Sequence, residues 1–552
     1  MDSPKLTITP LGGFGEIGLN CQLWESPQNT VMIDCGLMFP DDEHLGVDVV
    51  IPSFEVVARL KDKISGVLLT HGHEDHIGAI PWLVRELNKG THIYGSRLTL
   101  ALVENKLRER GILNWTRLCP VSADTVLTLG DMKFHFFPVC HSIPEGFGIG
   151  AETPVGRIVH SGDFKIDPHP LSGSGTNLQL FKKFAGADGV RLLLSDSTNV
   201  MRPGRSLPEG EVKKSLDKLF GEAAGRIIVT LFSSHIQRIQ EVFDLAEEHG
   251  RTVVISGKSL AGIIETACAL KLLHPPREFF NAYNSVPDLP DKELVLLVTG
   301  AQGEQLSALS RMVLGGHRQL NIRQGDTVIM SSRMIPGNTR AILRLINEMY
   351  RLGAEVLYDD ISIVHASGHA YADELRDMLL AVRPQLFVPI HGEYQHLVKH
   401  ARLARTCGVL PENAIVLEDG APLTLTDSDF RLEQCVTPEY TLVDGKGVGD
   451  VGLVVLRERR ILGDEGMVIV VLVLDSATGS VLHGPEMTSR GFVFEQQYSY
   501  ILEDAKCLVL DEIESAQGNV PHMREGIRSS LRKFFKRVLE RDPVVVVAIS
   551  EI

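Results

Sequence analysis

The 552-residue chain predicts an α/β protein in which one α/β domain interrupts another and a small α/β domain follows. Three observations predict this. Residues 1–204 read as short β-branched runs that end in polar turns, among them "NTVMIDCG", "ISGVLLTHGH", "MKFHFFPVCHS", "GRIVHSGDF" and "VRLLLSDST". Residues 205–360 alternate helical patterns ("EVKKSLDKLFGEA", "RIQEVFDLAEEHG", "NTRAILRLINEMYRLG") with buried-strand runs ("RIIVTLF", "RTVVISG", "LVLLVTG", "DTVIMSS"), as βαβ units around a parallel sheet do. The strand–turn style then returns at 361–428 with "ISIVHASGHA" and "PQLFVPIHGE". An insertion at 205–360 accounts for all three.

Residues 429–450 read as a linker and 451–552 as the C-terminal domain. That domain is expected to hold the strands "VGLVVL", "MVIVVLVL" and "PVVVVAIS" and one basic helix, "HMREGIRSSLRKFFKRVLERD". Ile527, Leu531, Phe534, Phe535 and Val538 share one face of that helix, with Arg and Lys on the others. Two readings of it stand: a solvated helix packed on a small domain, or a surface for an anionic polymer. In the first part, "AIPWLVRELN" is expected to be helical.

Composition is that of an ordinary globular protein, 44% hydrophobic and 23% charged, with no run of 18 apolar residues and so no expected membrane span. The opening "MDSPKLTITPLGG" has neither a basic nor an apolar leader region, so a cytoplasmic location is expected. Eight cysteines are scattered with no CxxC pair, which argues against a zinc ribbon or a disulfide framework. The formal charge of −15 argues against a purely electrostatic nucleic-acid binder. It leaves a nuclease open, because bound cations and a local basic groove reverse the sign where substrate sits.

Two motifs compete near the start. Gly13, Gly15 and Gly18 have dinucleotide-binding spacing, with Asp34 following, but the flanking segments alternate like strands and no helix opens there. A glycine-rich turn between strands is the better reading. In "THGHEDHIGAIP", by contrast, His71, His73, Asp75 and His76 fall within six positions. His71 and His73 follow an apolar strand and can grip one ion, while Asp75 and His76 precede a helix and face a neighbouring position. Mixed imidazole and carboxylate donors suit zinc or manganese and hydrolytic chemistry. Further ligand types sit just after predicted strands: Asp34, His141, Asp163 and His391. Strand ends are where α/β architectures build sites.

The motifs "GGFGEIGLN", "THGHEDHIGAIP", "HSIPEGFG", "HSGDFKID", "LLLSDSTN", "SGHA" and "PIHGE", in this order over residues 8–395, resemble those of the metallo-β-lactamase fold. Within that fold they resemble the β-CASP nucleases, and specifically the ribonuclease J family. The resemblance implies a metallo-β-lactamase αββα sandwich from residues 1–204 and 361–428, a β-CASP domain at 205–360, and a small C-terminal α/β domain that helps assembly. It also implies that His71, His73 and His141 hold one divalent ion, and that Asp75, His76 and His391 hold a second. Asp163 then bridges the two, and Asp34 orients the cluster from behind. Zinc, manganese or magnesium would fill these positions, making hydroxide available at neutral pH.

By the same resemblance Asp196 and His369 form a carboxylate–imidazole pair suited to protonating the leaving 3′ oxygen, with His365 as a rival for that role or a phosphate contact. Ser233, Ser234, His235, Ser331, Ser332, His365, Ala366, Ser367, Gly368 and His369 are expected to line the path of RNA, including a pocket for a 5′-monophosphate. The implied activity is metal-dependent cleavage of single-stranded RNA, 5′-to-3′ from monophosphorylated ends and also internally, in RNA maturation and mRNA decay. Homodimers or homotetramers, and other RNA-degradation proteins as partners, are implied as well. Asp48 and Asp444, perhaps with the Gly46 carbonyl, resemble positions that hold a structural calcium or manganese ion; two surface aspartates are the alternative. Three other functions remain in view: a hydrolase of small thioesters or lactams, a DNA-processing β-CASP nuclease, and a non-catalytic RNA-binding subunit.

Overall fold

A computed structural model describes residues 4–552 apart from 42, 171, 172, 174, 278, 282–287, 336, 434–439, 494–498 and 517–518. The chain forms two compact units: Met1–Phe39 with Val49–Thr441, and Pro40–Asp48 with Leu442–Ile552. The division at 441/442 falls inside the stretch expected as a linker. Residues 434–439 of that stretch lie outside the described residues, and its flanks form strands Phe430–Leu432 and Tyr440–Asp444.

The first unit places two sheets face to face. Strand Lys5–Gly12 buries every second residue, including Leu6 and Ile8, as a half-buried strand must. It sits in an eight-stranded sheet between Leu423–Thr426 and Cys21–Glu25, followed outward by Thr30–Ile33, Ile64–Leu68, Thr91–Gly95 and Thr116–Pro120. The second sheet runs Pro384–Ile390, Val190–Asp196, Gly156–His160, Gly146–Thr153, Met132–Val139 and Val126–Leu129. Trp24, Val31, Ile33 and Leu68 from one sheet and Phe134, Phe136, Ile149, Leu192 and Val388 from the other share one core. Each fully buried large side chain there contributes roughly 1.5–3 kcal/mol. Helices Leu178–Ala185, Ala372–Val382 and Tyr394–Thr406 bury Phe181, Leu375, Met378 and Ala401 with Val159, Leu193 and Phe387 on the outer face of the second sheet. Helix Arg97–Glu109 packs on strands Thr91–Gly95 and Thr116–Pro120 and on helix Ile80–Glu86. The result is the αββα order of layers.

Residues between strand Val190–Asp196 and helix Ala372–Val382 carry an all-parallel sheet ordered Phe279–Asn281, Thr252–Ser256, Leu294–Val298, Ile227–Thr230, Thr327–Met330 and Glu355–Leu357. Both faces are covered, so its strands read as unbroken apolar runs. Arg226 and Asp326, both buried, lock the start of two adjacent strands with a two-pronged ion pair, Nε–Oδ1 2.8 Å and Nη2–Oδ2 2.6 Å.

In the second unit, strand Met467–Leu474 lies between Val481–Arg490 and Val544–Glu551, backed by helices Ser499–Ser515 and Val520–Leu539. The basic helix buries Ile527, Leu531 and Phe535 as expected, with Phe534 half-buried, but Val538 is 44% exposed. The run "VGLVVL" departs further from expectation. It opens helix Leu453–Glu465 rather than forming a strand. A short apolar run has no period of its own, and the helix-forming "RERRIL" that continues it decides the outcome.

Candidate metal centre

Strand Ile64–Leu68 delivers Thr70 and His71 to the edge of the core, and His73, extended at φ −74° and ψ 154°, caps the short helix Glu74–Ile77. His71 and His73 therefore come from extended backbone, and Asp75 and His76 from the first helical turn. His141 follows strand Met132–Val139, and Asp163 follows Gly156–His160. Parallel pairing sets Asp196 opposite Ile390, so the returning segment places His391 beside Asp196. Asp34 and His391 both hold left-handed backbone, φ 58° and 55°. Such conformations cost on the order of 1 kcal/mol or more and persist where surrounding structure enforces them. The His391 N–H donates to the Gly13 carbonyl at 2.8 Å, which anchors that strained residue to the glycine turn.

Three groups of side chains converge. His71, His73 and His141 form one; Asp75, His76, Asp163 and His391 a second; Asp163, Asp196, His369 and His391 a third, with the candidate ligand atoms of each within 4.8 Å of one another. Asp163 Oδ2 lies 3.8 and 3.9 Å from Nε2 of His71 and His141, and 3.2 and 3.5 Å from Nε2 of His76 and His391. One carboxylate oxygen thus faces both sets. His73 Nδ1 stands 3.0 Å from His71 Nε2 and 3.1 Å from His141 Nε2.

The far nitrogens of these rings test whether a cation fits. His141 Nδ1 meets the Gly368 carbonyl at 2.7 Å and His76 Nδ1 meets Asp34 Oδ2 at 2.7 Å; both acceptors require the proton on Nδ1. The Thr70 hydroxyl donates to Asp34 and the Thr198 hydroxyl to Asp196, so each accepts from a neighbouring ring, His71 Nδ1 at 3.0 Å and His391 Nδ1 at 2.6 Å. Four rings therefore turn Nε2 to the centre, the arrangement in which ligating histidines are held by an outer partner. Without an ion, His76 and His391 present Nε2 to Asp163 and Asp75 at 3.2 and 3.0 Å, and divalent cations would take the place of the protons held there. The donor set fits two ions sharing Asp163.

Charge within the cluster is uneven. Burial, with His76 adding to it, holds His71 well below the usual imidazole range, and burial brings His73 down to about 4. Burial is outweighed at His391 by Asp163, Asp75 and Asp196, which hold it up to about 9, and at His76 by Asp163, Asp75 and Asp34. Against burial, His391 and His76 hold Asp163 well below the carboxylate range.

Beside this centre His369 Nδ1 donates to Asp196 Oδ2 at 2.8 Å, and Asp196, outweighing burial, raises the imidazole above its ordinary value. His365 is different. Burial and Arg238 push it down to about 3, and its Nδ1 has no hydrogen-bond partner among the described residues. His235 caps helix Ile236–Glu248 through Nδ1, while its buried Nε2 is also without a partner among them. Ser233 and Ser234 lie half-buried in the turn before it. Ser331 is engaged internally, donating to the Val364 carbonyl at 2.6 Å and accepting from Arg238 at 3.2 Å; Ser332 meets Gln302. Ser367 accepts from Asn199 at 2.7 Å, Ala366 is core, and Gly368 serves His141 through its carbonyl.

Sequence reasoning missed Thr70, Thr198 and Asn199, which set ring tautomers or tie loops together. Their signal was adjacency: each sits within three residues of a chosen ligand or acid. For the expected structural cation, Asp48 and Asp444 do come to one turn, with Asp48 Oδ2 accepting from Gly445 N at 2.8 Å. Arg459, however, ion-pairs with Asp444 and donates to the Leu45 carbonyl, so positive charge is already supplied there. Neither aspartate belongs to a potential metal group among the described residues.

Four family models match the chain: a beta-lactamase superfamily domain at residues 29–181, the ribonuclease J beta-CASP domain at 224–349, a Zn-dependent metallo-hydrolase RNA specificity domain at 354–416, and the ribonuclease J C-terminal domain at 454–552. Ribonuclease J from Thermus thermophilus is 38% identical over 552 residues, covering 99% of this chain and 95% of its own. Ribonuclease J 1 from Streptococcus pyogenes is 36% identical, covering 98% and 97%, and ribonuclease J2 from Bacillus subtilis is 33% identical, covering 100% and 99%. Among solved structures, a protein of unknown function from Enterococcus faecalis shares the fold with a TM-score of 0.53 at 17% identity, over 76% of this chain and 100% of that one.

Proposed function

The chain belongs to the ribonuclease J family of metal-dependent ribonucleases, and from that premise we propose a two-metal enzyme that removes nucleotides from the 5′ end of 5′-monophosphorylated single-stranded RNA and also cuts internally. Its place is RNA maturation and mRNA decay in the cytoplasm, as a homodimer or homotetramer assembled through the C-terminal domain. The observation that carries the reading is the pair of ligand sets joined at Asp163 with the Asp196–His369 pair beside them. Small-substrate hydrolysis needs no such second pair.

His71, His73 and His141 would hold one ion, and Asp75, His76 and His391 the other, with Asp163 facing both sets. Zinc or manganese suits this imidazole-rich set better than magnesium. When bound, the ions supply an activated water at neutral pH and offset charge building on the phosphodiester. The chain's own residues do the rest. Asp34, Thr70, Thr198 and the Gly368 carbonyl hold the rings in their ligating tautomers. Asp196 fixes Nδ1 of His369, leaving Nε2 to protonate the departing 3′ oxygen. His365, neutral and buried, is the weaker candidate for that step and suits a phosphate contact. The partnerless nitrogens of His235 and His365, with Ser233 and Ser234 nearby, support a pocket for the 5′-phosphate. Cleavage at the 3′ oxygen leaves a fresh 5′-phosphate on the shortened strand, so the next cycle starts primed.

The test is an internally labelled single-stranded RNA bearing a 5′-monophosphate, run beside its 5′-triphosphate form, with manganese and with a chelator. Early mononucleotides, faster from the monophosphate and abolished by chelation, are expected. Internal fragments without end preference would discard the 5′ pocket, and cleavage of DNA alone would move the substrate class. Asp75→Ala with His76→Ala should abolish cleavage and spare RNA binding; a non-catalytic binding subunit would lose nothing.

A further inference from the structure

A protein with formal charge −15 repels RNA, so the approach to the centre needs local positive charge in excess of its own acids. Two guanidiniums meet that requirement. Arg202 lies in the turn that follows Asp196, its N–H donating to the Asn199 carbonyl at 2.9 Å and its carbonyl accepting from Ala372 N at 3.0 Å. Arg333 lies in the loop after strand Thr327–Met330 of the parallel-sheet domain. The buried Gln302 amide holds that loop, donating to the Arg333 carbonyl at 2.8 Å and accepting from Ile335 N at 2.9 Å. Both side chains therefore stand on backbone held by hydrogen bonds.

Both reach the segment around His369. Arg333 Nη1 donates to Asn199 Oδ1 at 3.1 Å, and Asn199 Nδ2 donates to Ser367 Oγ at 2.7 Å and to the His369 carbonyl at 3.3 Å. Arg202 Nη1 donates to the Tyr371 hydroxyl at 2.7 Å, two residues beyond His369. The two cations are near enough to act on each other: burial lowers Arg333 below the ordinary guanidinium value and Arg202 lowers it further. Neither is ion-paired among the described residues; each binds only a neutral side chain. Asp359 faces both: burial raises it, while Arg202 and Arg333 lower it, so one carboxyl is shared by two guanidiniums. Two like charges beside a single acid leave room for a further anion to bind between them.

We propose that Arg202 and Arg333 form a clamp for a non-reacting phosphodiester of the bound RNA strand, one wall supplied by each domain, next to His369. The clamp rests on the ribonuclease reading and adds to it a backbone contact separate from the metal ions and from the serine–histidine pocket. Because guanidiniums grip phosphate without reading bases, the contact is independent of sequence.

The experiment measures KM and kcat on single-stranded RNA, and RNA affinity under chelation, for Arg333→Ala, Arg333→Lys and Arg202→Lys across a salt series. The expected result is a fall in kcat/KM of roughly tenfold for Arg333→Ala, carried by KM. The plot of log affinity against log salt should become shallower by about 0.7, one phosphate contact on a single strand. Arg333→Lys should recover the salt slope and part of KM. Unchanged affinity and slope in all three variants would overturn the clamp. So would a loss confined to kcat, which would assign Arg333 to holding Asn199 and His369. Failure of the unsubstituted protein to cleave any RNA is a different result, and it overturns the ribonuclease reading beneath the clamp.

Discussion

His365 and His369 stand four residues apart, yet opposite charges face them. Asp196 accepts from His369 and stabilises its imidazolium, whereas Arg238 faces a buried His365 and keeps it neutral. His369→Ala should therefore lower kcat by about 10²–10⁴-fold. Metal content by elemental analysis should stay at the unsubstituted level, because all seven proposed ligands remain. A parallel loss of metal would mean that His369 holds an ion instead. A second residue-scale effect lies at the glycine turn. Burial and the Glu16 carboxylate hold Asp419 up to about 9, while its Oδ1 accepts from Phe14 N at 3.1 Å. An acid raised in the folded state keeps a proton that the unfolded chain sheds above its ordinary 3.8. Its stabilising share is complete below that value and is lost as pH climbs toward 9. Asp419→Asn retains the acceptor for Phe14 and removes the titration. Its melting temperature should match the parent near pH 4 and exceed it at pH 8–9, by an amount corresponding to about 1–3 kcal/mol. Equal pH profiles would refute the raised Asp419 carboxyl.

At the scale of elements, the junction between strand Thr30–Ile33 and helix Glu74–Ile77 carries the centre. The Cys35 N–H donates to the His76 carbonyl at 2.8 Å, and a Cβ placed on Gly36 would lie 1.6 Å from the Asp75 carbonyl oxygen. The obstacle is backbone, so no side chain can yield. Gly36→Ala should push the Asp75–His76 turn away and cost at least one of the two ions, read as metal per chain together with cleavage rate. Full metal content would show that the junction tolerates displacement. The same element illustrates what was readable beforehand. "THGHED" announces ligands because strand and helix periods put the residues at the seam. Gly36 carries no such mark, since its necessity comes from a segment forty residues away.

For the molecule as a whole, two units with separate cores imply separable stability. Phe535 is fully buried against Phe492, with ring centroids 4.9 Å apart. Phe535→Ala should cost about 3–5 kcal/mol within the unit that contains it. Hydrogen exchange should then quicken in 442–552 and 40–48 and remain unchanged around His71 and Asp163. Loss of protection throughout would mean that the two units unfold as one. The excursion of 40–48 into the second unit had no sign in the sequence, because its residues are loop-like and only their contacts assign them.

The sequence by itself carried the layers and the reaction class through its resemblance to the ribonuclease J family, and apolar periods added which faces are buried. Ligand chemistry is intrinsic to side-chain type, so His71, His73, Asp75, His76, His141, Asp163 and His391 could be proposed without coordinates. Tertiary structure alone decided what depends on neighbours distant in the chain. Thr198 reaches His391 across 193 positions to fix its tautomer, and Gly368 reaches His141 across 227. Arg459 brings a positive charge to Asp444, and Arg333 reaches Asn199 while Arg202 reaches Tyr371. Proton position, local charge and counter-ion supply are properties of surroundings, and surroundings exist only once the chain has folded.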